Sequence, residues 1–158
     1  MKIVNLHELP EREVISPKGK FHIFQKDASL ALGGVKDTGP EGGGQPFDLC
    51  QVRIPPGKTN WPLHIHTSQW EQFLVLGGSG KVRGLEGEDP LRAGDCFISR
   101  PGDATQIINT GAEDLVLLII ATNQLTDAIS YPDSGKFAVK PWRRFFHMEE
   151  VDYYAGEE

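Results

Sequence analysis

The chain is poor in cysteine: Cys50 and Cys96 are its two, with no Cys-x-x-Cys spacing. That is too few for a disulfide framework, and the expectation is two reduced, buried thiols in a cytoplasmic protein. Long hydrophobic runs are missing as well. The longest, Leu115 to Ala121, is seven residues, against roughly 20 needed to span a bilayer. The opening MKIVNLHELPEREV meets charge and proline before any apolar stretch develops, so it does not read as a signal peptide. Membrane insertion and secretion are both disfavoured. Positive charge is also in deficit: 16 basic against 22 acidic side chains leave a net charge of −6. Such a field repels phosphate backbones and argues against a nucleic-acid partner. No Ser-His-Asp arrangement, P-loop or dinucleotide fingerprint is visible. Gly42–Gly44 have no following Lys-Ser/Thr to make them a phosphate cradle.

Turn formers are abundant. The 158 residues include 18 glycines and 11 prolines, a larger share than the roughly 12% of an average chain. From Asp48 onward, short apolar segments recur at intervals of about ten residues. They are LCQVRI, LHIH, QFLVL, KVRG, DCFIS, TQIIN and LVLLIIAT, separated by PPG, GGSG, EGEDP, RPGD and TGAED. Strands of this length, each with its own turn signal, argue for an antiparallel sandwich or barrel. No stretch between 48 and 122 sustains a helical period. The fold class is all-β, read as a single domain over 1–158 with its core at about 48–122.

The flanks differ from this core. In residues 1–47, KIVNL and KFHIFQ read as strands, with Phe21, Ile23 and Gln25 on one face, and ASLALGG as a helical turn closed by glycine. Residues 33–47 (GGVKDTGPEGGGQPF) read as a mobile loop, either inert or lying over the mouth of a site. Residues 123–158 read as an aromatic arm. WRRFF mixes basic and aromatic side chains, but Glu149, Glu150 and Asp152 follow directly. The arm is therefore expected to pack on the barrel or a second subunit, not on nucleic acid.

The informative stretch is His64-Ile65-His66-Thr67-Ser68-Gln69-Trp70-Glu71. Residues two apart on a strand project from one face, so both imidazoles point the same way. Glu71, opening the next strand, reaches the same point across a tight turn. Two imidazoles and a carboxylate suit a divalent metal such as Fe, Mn, Zn or Ni. His7, His22 and His147 stand alone and read as ordinary surface or hydrogen-bonded residues.

Here the sequence resembles the cupin family. Gly57, six residues, His64-x-His66, four residues, Glu71, six residues and Gly78 follow its first motif. Gly94, five residues, Arg100-Pro101-Gly102, two residues, Thr105, three residues and Asn109 follow its second. The resemblance covers about residues 48–122. It implies a small β-barrel of two packed sheets (a double-stranded β-helix) with a metal inside and the substrate entering at one end. Two positions depart from the pattern: Arg100 takes a proline's place, and Thr105 stands where the family puts a third metal-binding histidine. A threonine hydroxyl is a poor ligand for a transition metal. What remains, His64, His66 and Glu71, has the composition of a 2-His-1-carboxylate triad with open positions. Two readings follow: a metal centre with an extra vacant position, or an eroded site in a metal-free ligand-binding module.

By strand parity Phe73 and Val75 follow Glu71 inward, while Trp61 and Trp70 flank the motif. Thr105, Phe73 and Arg53 are the candidate ligand contacts, Arg53 as an anion clasp or simply as a solvated strand residue. The first function considered is a metal-dependent enzyme, a dioxygenase or an isomerase, acting on a small polar molecule. The second is a binding or sensing module. A homodimer is expected, because Leu115–Ala121 is apolar on both faces and asks for cover on each.

Overall fold

In the computed structural model, which describes residues 1–158, nearly all regular structure is strand. The strands are β1 (Arg12–Ile15), β2 (His22–Asp27), β3 (Phe47–Ile54), β4 (His64–His66), β5 (Glu71–Gly77), β6 (Ser79–Arg83) and β7 (Glu88–Arg92). They continue with β8 (Cys96–Ser99), β9 (Ala104–Ile108), β10 (Leu115–Thr122), β11 (Asp127–Tyr131), β12 (Lys136–Lys140) and β13 (Arg144–His147). One helical turn, α1 (Ala28–Ala31), follows β2 and is capped by the Asp27 carboxylate on Leu30 N. One sheet has the order β1-β2-β3-β10-β5-β8, the other β13-β12-β11-β4-β9-β6-β7. The expected barrel of two packed antiparallel sheets is what forms.

Alternation decides which residues fill it. Cys50, Val52 and Ile54 of β3, Phe73 and Val75 of β5, and Leu115, Leu117 and Ile119 of β10 point inward and join one core cluster. Phe73 stacks on Phe97, ring centroids 4.7 Å apart and planes 10° from parallel. The turns between strands are specified by glycines in the left-handed region. Gly78 has φ +78°, and a Cβ there would lie 2.3 Å from the Asp114 carbonyl oxygen. Gly102 has φ +94°, and its N–H donates to the His66 carbonyl at 2.8 Å, so the Pro101-Gly102 turn holds β4 in place. Asn109, fully buried, donates to the carbonyls of Ile54 (2.7 Å) and Glu113 (2.8 Å), tying the end of β3 to the turn before β10.

Two expectations are corrected, and two segments are placed. KIVNL is not a strand; the first strand is β1, where the apolar Val14 packs toward the core. Part of EGEDP, read as a turn, lies in β7. Pro90 is tolerated there because β7 is a sheet edge and needs no N–H on its open side. Residues 33–47 meet the barrel at Asn123, which accepts from Thr38 N (3.3 Å) and donates to the carbonyls of Val35 (2.9 Å) and Gln45 (3.0 Å). The C-terminal arm forms β11, β12 and β13, which extend the sheet carrying His64 and His66. Its aromatics are not buried by this chain: Trp142, Phe145 and Tyr153 are 70%, 60% and 87% exposed.

Phe73 is the largest fully buried side chain. Phe73→Ala should destabilise the fold by about 3–5 kcal/mol, measured by urea unfolding, with the midpoint shifted and the slope unchanged.

Candidate metal centre

Strand β4 is three residues long and lies between β9 and β11. Its short reach sets both imidazoles at one end of the barrel, with ring centroids 5.0 Å apart and planes at 82°. Glu71 opens β5 on the facing sheet, opposite Ser99 of β8 and Ala121 of β10. One side-chain donor atom each from His64, His66 and Glu71 lies within 4.8 Å of the other two.

Each imidazole is anchored through Nδ1. His64 Nδ1 hydrogen-bonds the Pro62 carbonyl oxygen at 3.0 Å, and His66 Nδ1 hydrogen-bonds Asp127 Oδ2. Both acceptors require the proton on Nδ1, so Nε2 is left with a lone pair directed at the centre. Glu71 Oε1 receives a long contact from Gln69 Nε2 at 3.4 Å. Glu71 Oε2 is buried with no hydrogen-bond partner. Its nearest cationic candidate, His64 Nε2, is 3.7 Å away, beyond hydrogen-bond reach. A buried carboxylate oxygen without a partner, facing two imidazole lone pairs, is a donor set that fits a divalent cation.

The charges of the bare site agree. Burial pushes the Glu71 carboxyl up, yet His64, His66 and Lys140 outweigh it and hold the group below its ordinary range. Burial pulls His64 down, but Glu71 and the Pro62 carbonyl raise it above the ordinary value.

Asp127, on β11, was not anticipated. Beyond His66, its Oδ1 accepts from the backbone N–H groups of Thr67 (3.0 Å) and Ser68 (2.9 Å) and from both hydroxyls. Burial would raise its pKa; the His66 contact and the Ser68 donors drive it far below the usual carboxylate range. It lies 61 residues beyond His66, and no local spacing marks it. Only the β-branched Ile129 and the aromatic Tyr131, residues favoured in strands, hint at the element.

A cavity of about 230 Å³ opens onto the three residues, walled by Trp61, Pro62, Ile129 and Tyr131. A second, of about 160 Å³, shares Trp61 and Glu71 with it and is bounded by Lys36, Asp37 and Lys140. Residues 33–47 thus lie across the barrel end beside Glu71. Thr105 is the cross-strand neighbour of His64, but its hydroxyl is hydrogen-bonded with Ser99 Oγ and lines a separate open groove. Phe73 sits one inward step below Glu71 and is core, not cavity wall. Arg53 corrects the anion-clasp expectation. It faces outward, bound to Glu11 (2.7 Å) and Asp114 (2.8 Å), with its guanidinium 4.0 Å from the Phe24 ring centroid.

Comparison with known proteins follows the same geometry. Residues 50–121, a little under half of the chain, match the cupin domain model. An oxalate-binding protein of Thermotoga maritima is 31% identical over 72 residues, 46% of this chain and 59% of that protein. The chain thus spans less than two thirds of that relative. A sugar phosphate isomerase of the cupin superfamily from Silicibacter pomeroyi superposes with a TM-score of 0.74 at 21% identity, over 94% of this chain and 93% of that one. A polyketide cyclase from Streptomyces resistomycificus gives 0.62 at 14% identity, over 100% and 94%. At such identities the likeness is one of fold. The two turn motifs, the sheet order and the family match agree: residues 50–121 match a cupin domain, and the chain has the cupin fold.

Proposed function

We propose that the protein holds one divalent metal ion, Fe, Mn, Zn or Ni, on His64, His66 and Glu71, and binds a small polar molecule beside it inside the barrel. The observation that carries this reading is the anchoring of both imidazoles through Nδ1 around a buried, unpartnered Glu71 oxygen. His64, His66 and Glu71 would hold the ion, which would supply Lewis acidity toward an oxygen of the ligand. The chain's own residues orient the two imidazoles and keep their Nε2 atoms free, and Trp61, Pro62, Ile129 and Tyr131 line the approach to them. Asp127 is a positioning residue: it fixes the tautomer and ring direction of His66. The name of one relative, an oxalate-binding protein, describes a small oxygen-rich ligand and supports this reading. An isomerase or a dioxygenase reaction at the centre belongs to the same proposal.

A second reading is favoured by Thr105, whose hydroxyl is engaged with Ser99 and adds no ligand. The barrel would then bind its ligand without metal, with His64 and Glu71 pairing as imidazolium and carboxylate.

The proposal extends to a homodimer. On the outer face of the β5–β8–β10 sheet, Leu74 neighbours Leu118 and Cys96, and Gln72 neighbours Ile98 and Ile120. Leu76, Ile98 and Ile120 are exposed there, and a second copy would cover them. A reducing cytoplasm fits the same reading, since both thiols are free: Cys50 is buried and pushed up to about 11, whereas Cys96, expected to be buried, is exposed. No helix is long and apolar enough to cross a membrane.

Protein purified without chelator should carry close to one metal ion per chain, measured by plasma mass spectrometry. His64→Ala should reduce this to a trace, and Thr105→His should tighten binding by adding an imidazole. Asp127→Asn keeps all three ligands and should weaken affinity by about tenfold to a hundredfold. A metal-poor parent protein, unchanged by His64→Ala, would favour the metal-free reading. Light scattering should give twice the 17.5 kDa chain mass and a monomer for Ile120→Lys; a monomeric parent at micromolar concentration contradicts the dimer.

A further inference from the structure

We propose that this centre takes a small, flat molecule that offers oxygen toward His64, His66 and Glu71, rests its plane on the Trp61 and Tyr131 wall, and carries no phosphate. The inference rests on the metal-centre reading and adds the class of ligand.

Size sets the first limit. The cavity is about 230 Å³, with about 160 Å³ more beside it that shares Trp61 and Glu71. That accommodates a single substituted ring, not a long chain. The walls set the second. Away from the three polar residues, the cavity is lined by Trp61, Pro62, Ile129 and Tyr131, which offer flat, apolar contact. Aromatic walls favour a planar partner over a fully hydrated one.

Charge sets the third. No lysine or arginine lines this cavity. The adjoining cavity holds two lysines, but each is already matched. Lys36 pairs with Asp27, and Lys140 bridges Asp37 at 3.0 Å and Gln69. Asp48, on the same wall, keeps a buried oxygen with no partner. Arg83, in the strand beyond β9, is held by Asp133 at 2.8 Å. One cation remains near the mouth, Lys136, and its ammonium lies over the rings of Tyr131 (5.5 Å) and Phe145 (5.7 Å). A phosphate dianion is usually held by several charged or backbone donors. Here it would meet one ammonium, three carboxylates on the shared walls and a chain of net charge −6. The Tyr131 hydroxyl is suited to the opposite role. Its phenol O–H can donate to a ligand oxygen.

The test uses the full chain loaded with zinc, a redox-inert ion, with metal content measured before and after titration. Isothermal titration calorimetry with catechol and with glucose 6-phosphate should show catechol binding at least tenfold tighter. Tyr131→Ala should weaken catechol about fivefold or more, while Tyr131→Phe, which keeps the ring, should stay nearer the parent. Glucose 6-phosphate binding as tightly as catechol overturns the proposal. Unchanged catechol affinity in a folded, zinc-loaded Tyr131→Ala protein also overturns it. Zinc-loaded protein that binds neither probe overturns this ligand class while leaving the metal centre standing. Protein that takes up no zinc overturns the metal reading and this proposal together.

Discussion

The pairing of β11 with β4 is the contact on which the rest of the site depends. Strand β4 is too short to fix two imidazoles by itself, since three residues give few ladder bonds and its ends are turns. Ile129 lies opposite His66 and Ser130 opposite Ile65, and this register delivers Asp127 to the His66 ring and to the Thr67-Ser68 turn. A carboxylate that is 4% exposed would ordinarily be costly to bury. Its two backbone donors, two hydroxyls and one imidazole offset that penalty by stabilising the charged form. The same carboxylate thus closes the turn after β4 and decides which nitrogen of His66 faces inward. Fold and site are coupled at one side chain.

A second feature is the way charge is distributed. Arg53, Arg83, Lys36 and Lys140 are each engaged by carboxylates, while the inner cavity keeps two imidazoles and one carboxylate. Unmatched potential is concentrated at the three residues beneath the aromatic wall. The Glu71 oxygen without a hydrogen-bond partner lies where two lone pairs converge, and a cation would satisfy all three at once.

Much of the barrel was legible from sequence because alternation and turn chemistry are local. The strands from β3 to β10, apart from β7, announce themselves through apolar runs ended by glycine or proline. His64, His66 and Glu71 were legible for the same reason: a two-residue strand period and one tight turn bring them together. What escaped depends on long-range pairing. For Arg53 the alternation Cys50-Gln51-Val52-Arg53-Ile54 already gives the outward direction, but its partners Glu11 and Asp114 are distant in sequence and not marked by it. Phe73 does face inward, as parity requires, yet parity does not say how deep along the strand the cavity ends and the core begins. Asp127 and Tyr131 sit in a segment that looks like a terminal arm until β11 is seen to add to β4.

The most direct test is anomalous X-ray diffraction from crystals of the metal-loaded protein, recorded at the metal's absorption edge. The account predicts a single strong peak per chain, about 2.0–2.3 Å from the Nε2 atoms of His64 and His66 and from a Glu71 carboxylate oxygen, with His66 Nδ1 still bonded to Asp127. A peak in the acidic groove beside Glu86, Glu88 and Asp89, with none between the two histidines, would contradict it.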